Sequence, residues 1–432
     1  MSEYLHDFNP WLALFTIVVI FGALQGTCAI LIYLERKVSA WVQDRLGPNR
    51  VGPGGILQSV ADGLKFLLKE DVIPGHVNRF LFLLAPCIAM TTAMLAFAVV
   101  PFGPVEPPPP IRPNPLPASA SPAEKAQFDR ANAVYEKMHA VYDKALGSSF
   151  DYQHSYQFSI APNVDIGFLF IFAVSSLAVY GIILGGWSAN NKYSMLGGLR
   201  SSAQIISYEI PLGLSVLGVV MMTGSLNLEQ IIWRQSAYSS TGGAPAWFVF
   251  YQPLAFLIFM ISAFAETNRL PFDLPEAEQE LIGGYHTEYS AMKFALFFLG
   301  EYTHMITTSF LMVILFFGGW HFPWIAEPGS ASIVKLIVFL VKVSLFILWY
   351  MLIRWTLPRF RYDQLMALAW KVLIPLAIIN LVAVMVVLEL RTSSGLDWAP
   401  WLLLPISAVV LVGAGYMAAQ PSASPQAANG RV

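Results

Sequence analysis

Between residues 266 and 288 the chain places Glu266, Asp273, Glu276, Glu278, Glu280 and Glu288 against one arginine, Arg269, a net charge of −5 in 23 residues. The same stretch is interleaved with Leu270, Pro271, Phe272, Leu274, Pro275, Leu281 and Ile282, which favour burial. A fully solvated acidic loop has no need of them. Carboxylates crowded into a low-dielectric site repel, so some hold protons near neutral pH and change their proton count when another charge arrives nearby. The chemistry available here is proton handling.

Other ionisable residues sit inside apolar runs. Glu209 follows Tyr208 in the run 201–224, and Glu301 lies within 287–318 with His304 one turn on. Glu35, Arg36 and Lys37 close the run 11–34, and Arg45 and Arg50 follow in the Gly/Pro-rich turn RLGPNRVGPGG. Lys335 and Lys342 are seven residues apart, on one face of a helix. A charge near the middle of a bilayer costs several kcal/mol, roughly 3 or more, so each such residue is a functional candidate. Lys335, near a span end, reads as a lysine that snorkels to the interface. Lys342 lies deeper and reads as a relay member or half of a buried pair.

The elements that position these residues follow from composition. The chain has 432 residues, 56% hydrophobic and only 12% charged, where a soluble domain carries about 25% charged residues. Such a chain cannot cover a water-facing globule, and its net charge of −2 excludes a nucleic-acid partner. Nine apolar runs can cross the roughly 30 Å hydrocarbon layer as helices: 11–34, 79–102, 164–186, 201–224, 246–265, 287–318, 332–353, 370–390 and 400–419. The expected fold is therefore an all-α polytopic membrane protein of about nine transmembrane helices. The acidic N-terminus MSEYLHD lacks a basic signal region, so the first helix is expected to be retained.

Sixteen basic residues fall on the side of the acidic loop and seven on the other. The first side is expected to be cytoplasmic and the N-terminus outside, a multi-pass arrangement in the inner membrane of a bacterial cell. Ile56–Lys69 has one apolar face and reads as an amphipathic helix on the cytoplasmic side. Pro104–Pro122 holds nine prolines in 19 residues, followed by a helix-start signal at Ser121, Pro122 and Glu124. Residues 104–162 are thus expected to form an external Pro-rich insertion with a surface helix. The resulting units are 1–103, 104–162, 163–390 and an extra helix with tail, 391–432.

Cys28 and Cys87 lie in apolar runs with no CxxC, and His286 and His304 share no ligand spacing, so neither an iron–sulfur cluster nor a metal site is expected. No nucleotide or phosphate loop, haem or hydrolase motif is present. The chain is expected to carry no redox centre, FMN included.

The blocks LERKVSAWVQDRLGPNRVGPGG, LGGLRSSAQIISYE, FAETNRLPFDLPEAEQELIGGYHTEYSAMKFALFFLGEY and PRFRYDQLM closely resemble the H subunit family of respiratory complex I, the NADH:quinone oxidoreductases. The resemblance covers about 1–103 and 163–390. It departs at the Pro-rich insertion, since the family's external loop there is normally short. It implies the membrane part of a quinone chamber, with NADH, flavin and iron–sulfur clusters in peripheral-arm subunits. Further partners are small membrane subunits, antiporter-like subunits and lipid. Carried over residue by residue, Arg36, Trp41, Arg45 and Asp62 match the quinone tunnel, together with Arg269. Glu35 matches the chamber's acidic wall, with Asp273, Glu276, Glu278 and Glu280 on the loop. Glu209, Glu266 and Glu301 match the buried carboxylates that lead toward the antiporter-like subunits, and Arg200, Tyr208, Glu288 and Tyr302 support them. The implied activity is that of an H+-translocating enzyme subunit that couples quinone reduction to proton movement. Two other readings share some of these features: the membrane subunit of an energy-converting hydrogenase, and a free-standing proton or cation transporter. The tight match at LERKVSAWVQDRLGPNRVGP favours the first reading, and no internal repeat supports the last.

Overall fold

A computed structural model describes residues 10–106, 157–242, 247–273, 283–327, 330–394 and 398–419, with scattered positions between 125 and 140. Among the described residues the chain is helical apart from one isolated bridge, Phe322 with Ala326. In lipid the helix satisfies every backbone group within its own segment, and that requirement selects it here.

Among the described residues, eight helices are long and apolar enough to cross a membrane. They are α1 (Pro10–Val42), α3 (Arg79–Leu95, continued by a tight turn to Ala98), α4 (Gly167–Ser188), α5 (Lys192–Thr223), α9 (Ala291–Phe316), α10 (Ser332–Thr356), α11–α12 and α13 (Leu403–Ala419, led by the turn Ala399–Leu402). Helix α11 (Tyr362–Ala367) passes through a π segment (Leu368–Leu373) into α12 (Ile374–Ser394). The amphipathic helix is α2 (Gln58–Leu68), and α6 (Leu228–Gly242) joins the fourth and fifth spans.

The fifth span departs from expectation. It is broken into α7 (Phe248–Tyr251) and α8 (Pro253–Glu266), because Pro253 has no N–H to continue the ladder and Gln252 leaves the helical region. At 14 residues, α8 is about 21 Å long, less than the hydrocarbon thickness. It ends inside the bundle, which places Glu266 at a buried helix terminus. Two further spans extend past the expected limits. Helix α1 continues through Glu35, Arg36 and Trp41, and α5 begins at Lys192, where the Asn191 side chain accepts from the Tyr193 N–H at 3.0 Å.

Helix α9 is the centre of the bundle, with residues Met305–Phe316 buried without interruption. Helices α3 and α4 approach closely at Gly181, where an added Cβ would meet Ala89 N at 3.0 Å and Ala85 O at 3.1 Å. Gly181→Val is expected to destabilise this pair by about 1–3 kcal/mol through overpacking. The check is a lower dissociation temperature of the membrane-embedded protein; an unchanged temperature would mean that α3 and α4 can separate at no cost.

Helix α2 has no buried residue, and its apolar side, including Leu64 and Leu67, stays uncovered by the chain. It is held to α1 on its inner side by Ser59 Oγ donating to Ala29 O at 2.5 Å and Tyr33 Oη to Gly54 O at 2.8 Å. The preceding turn closes on itself at Gly55 (φ +84°), where a Cβ would lie 2.2 Å from Pro48 O. Only glycine fits there.

Candidate functional site

Glu35 is brought by α1 to the C-terminal end of α10 and the segment after α8, and it is 4% exposed. Its Oε2 accepts from Arg269 Nη1 at 3.0 Å and from the Tyr302 hydroxyl at 2.7 Å, while Oε1 pairs with Arg354. The Arg269 guanidinium also stacks 4.1 Å from the centre of the Tyr302 ring. One buried carboxylate thus balances two guanidiniums. Arg354 carries no sequence signal of this role, since an arginine in the last turn of an apolar helix looks like an interfacial anchor.

The next residue, Arg36, faces α2 and pairs with Asp62 at 2.5 Å, and Gln58 donates to the other Asp62 oxygen at 3.1 Å. Trp41 and Arg45 are exposed, with Arg45 donating to Gln43 at 2.7 Å. Of the predicted tunnel residues, Arg36 and Asp62 are brought together between α1 and α2, while Arg269 lies at Glu35.

Deeper in the bundle, a cavity of about 40 Å³ is lined by Ser175, Glu266, Thr267, Asn268, Glu301 and His304, with apolar walls from Ala89, Ile182, Ile205 and Phe297. That volume holds roughly two or three water molecules. Glu266 and Glu301 share it although they come from different helices. Adjacent serines of α4 tie the carboxylates together: Ser175 donates to Glu266 and Ser176 donates to Glu209. Neither serine carries a sequence signal, because a serine pair in an apolar run satisfies its own helix as easily as a neighbour. His304 is a cavity wall, and among the described residues no three metal-ligating side chains gather.

The surrounding scaffold is specific. The Gln204 amide donates to Ala265 O, Asn268 Oδ1 and Phe272 O at 3.0, 3.2 and 3.0 Å, fixing the end of α8 beside the cavity. Tyr208 donates to Leu365 O at 2.8 Å, and Phe272 packs tilted against its ring. Arg200 lies over the Tyr362 ring at 4.8 Å, and Asn191 donates to Glu288 at 2.8 Å. Asp273 is described, and its carbonyl accepts from Arg359 at 2.8 Å. Glu276, Glu278 and Glu280 lie outside the described residues.

Both lysines sit elsewhere. Lys335 is 3% exposed and pairs with Glu106 at 2.7 Å, so it is a buried ion-pair member rather than a snorkelling residue. Lys342 donates to Phe317, Gly319 and His321 carbonyls at 2.7, 3.0 and 2.6 Å and lies 4.5 Å from the Trp247 ring centre. A cation on the free carbonyls that end α9 is a helix cap, and the structure does not bring it to the carboxylate cavity.

Comparison with known proteins decides the family. The sequence model of the NADH dehydrogenase family matches residues 15–385. The chain belongs to the NADH dehydrogenase family. Family members of similar sequence include the H subunit of the NADH-quinone oxidoreductase of Flavobacterium psychrophilum, 43% identical over 371 residues, which are 84% of this chain and 93% of the relative. A second is the corresponding H subunit of Protochlamydia amoebophila, 44% identical over 354 residues, covering 82% and 90% respectively. The NADH-quinone oxidoreductase subunit 8 of Rhodothermus marinus is 43% identical over 386 residues, 87% of this chain and 96% of that one. Family membership agrees with the resemblance seen in the sequence blocks, and the matched region contains Glu35, Glu209, Glu266 and Glu301.

Proposed function

We propose that the chain is the membrane subunit of an NADH–quinone oxidoreductase that walls the quinone chamber and couples quinone reduction to proton translocation. In this reading quinone is the substrate, and it slides from lipid past α2 with its apolar tail along the uncovered leucines. Arg36, Asp62, Trp41 and Arg45 edge its path. NADH, flavin and iron–sulfur chemistry belong to peripheral-arm partners, and antiporter-like subunits receive the proton signal. The chamber faces the bacterial cytoplasm, and the N-terminus lies outside.

The observation that carries the reading is the water-sized cavity joining Glu266 to Glu301 inside an apolar bundle. Reduction of quinone draws protons and adds negative charge near the acidic loop. Glu35 with Arg269 and Arg354 lies nearest to that charge, and its pairing responds to it. The change passes to Glu266, through Ser175 and Ser176 to Glu209, and across the cavity to Glu301 and His304. Charges this close in low dielectric couple strongly, and their protons are held jointly. This chain supplies electrostatics and proton sites, not electrons.

Arg45→Ala tests the tunnel. In the assembled complex it is expected to weaken inhibition by quinone analogues by about tenfold, the loss of one charge-assisted contact. An unchanged inhibitor profile would remove Arg45 from the quinone path.

A further inference from the structure

On the bundle face opposite the acidic loop, the root of the 104–162 insertion is seated by a second buried ionic cluster that the proposed function does not use. Phe102 N donates to Phe158 O at 2.9 Å, and Glu106 N donates to Gln157 Oε1 at 2.9 Å, joining the two ends of the insertion. Trp320 Nε1 donates to Val105 O at 3.2 Å, and the Lys335 ammonium lies 4.4 Å from the Trp320 ring centre. Lys335 donates to Glu106 Oε1. On the adjoining α6, Glu229 is 3% exposed, and its Oε1 accepts from the Asn163 N–H at 2.8 Å. Asn163 in turn accepts from Asn227 at 2.9 Å, which locks the acceptor geometry.

The oxygen count of this cluster is informative. Glu106 Oε2 and Glu229 Oε2 are both buried, and neither has a hydrogen-bond partner among the described residues. Glu106 has the Lys335 ammonium as its counter-charge, whereas an ionised Glu229 would be a buried charge with no cation on its oxygens among the described residues, which low dielectric penalises. One proton on Glu229 removes that charge. The Lys335 bond holds Glu106 as the carboxylate and the Asn163 N–H occupies Glu229 Oε1, so Glu229 Oε2 is where the proton belongs. We propose that Glu229 is a proton-binding site on the face opposite the quinone chamber, a buried carboxyl that holds one proton on Oε2 near the Lys335–Glu106 pair. The Glu106 side chain keeps 11% exposure, which gives the pair an edge on water.

The electrostatics agree. Burial, and then the Glu106 charge, push Glu229 up to about 7, against a small lowering by the Asn163 N–H. Burial also raises Glu106, against the pull of Lys335. Among the described residues, the other titratable groups on neighbouring elements are His321 and Lys342, with Asp165, Arg234 and Glu327 exposed. Burial, and then Lys342, lower His321 to about 4, so it stays neutral through the relevant range. Because Glu229 binds its proton more tightly in the folded protein, its proton stabilises the seat fully at low pH. That contribution is lost as pH rises from the ordinary carboxylate range through about 7.

The experiment is an infrared titration of the assembled complex in lipid across neutral pH, reading the carboxylic C=O stretch as wild type minus Glu229→Gln. The expected result is one protonated carboxyl that titrates near neutrality in the wild type and is missing in the variant. Glu106→Gln keeps an acceptor for Lys335 but removes the like charge, and it is expected to move the midpoint down by about one pH unit or more. A carboxyl signal that survives in full in Glu229→Gln would overturn the site. So would a midpoint that Glu106→Gln leaves in place, and that measurement stands even if Glu229→Gln does not assemble.

Discussion

Replacing Glu35 by glutamine is expected to cost about 3 kcal/mol or more, because Arg269 and Arg354 then remain together at a buried site without their counter-charge. Arg269 is the larger contributor, since it is 8% exposed against 24% for Arg354. Two readouts follow. The temperature at which the assembled complex dissociates should fall, and quinone-dependent NADH oxidation should fall with it. The double variant Glu35→Gln with Arg354→Gln should recover part of the loss, which a double-mutant cycle resolves as coupling between the two. Strict additivity of the two changes would show that the Arg354–Glu35 contact contributes nothing.

Glu266→Gln is expected to reduce coupled quinone turnover by about a hundredfold, the scale of a lost proton-transfer group. NADH oxidation by artificial acceptors should remain, since those acceptors take electrons before quinone does. The amide is isosteric and can still accept from Ser175, so folding is not the quantity being tested. Ser175→Ala should show a smaller loss of about five- to tenfold, reflecting one charge-assisted hydrogen bond. If proton translocation per quinone reduced is normal in Glu266→Gln, the carboxylate cavity plays no part in coupling, and the proposed function loses the observation that carries it.

The legible part of the site was the part made of charge. A carboxylate inside an apolar run is costly in lipid, so Glu209 and Glu301 stood out there, while Glu35 stood out at the end of a run and Glu266 at the start of the acidic loop. The parts that carried no signal were neutral or interfacial. Ser175, Ser176 and Gln204 become specific only because α4, α5 and the end of α8 meet at one level of the bundle. Arg354 looked like an anchor until α10 was seen to end beside Glu35. Lys335 looked like a snorkelling residue because its partner, Glu106, is 229 positions away in sequence.

The extra charge on the opposite face teaches the same point. Glu106 follows a proline-rich turn and Glu229 opens a short helix, and neither position is unusual alone. Folding buries both, gives Glu106 the Lys335 ammonium and leaves Glu229 a single backbone donor on Oε1.

What the sequence determined by itself was the solvent, the helical fold class and the family. Those depend on composition, on runs of apolar residues and on contiguous blocks, all of them local quantities. Tertiary structure alone decided which charges balance which: Glu35 against two arginines, Lys335 against Glu106, and Lys342 on the carbonyls that end α9. It also decided that Glu266 and Glu301 share one water-sized space. The reason is physical. Hydropathy adds along the chain, while Coulomb energy depends on distance across it, and distance is what folding sets.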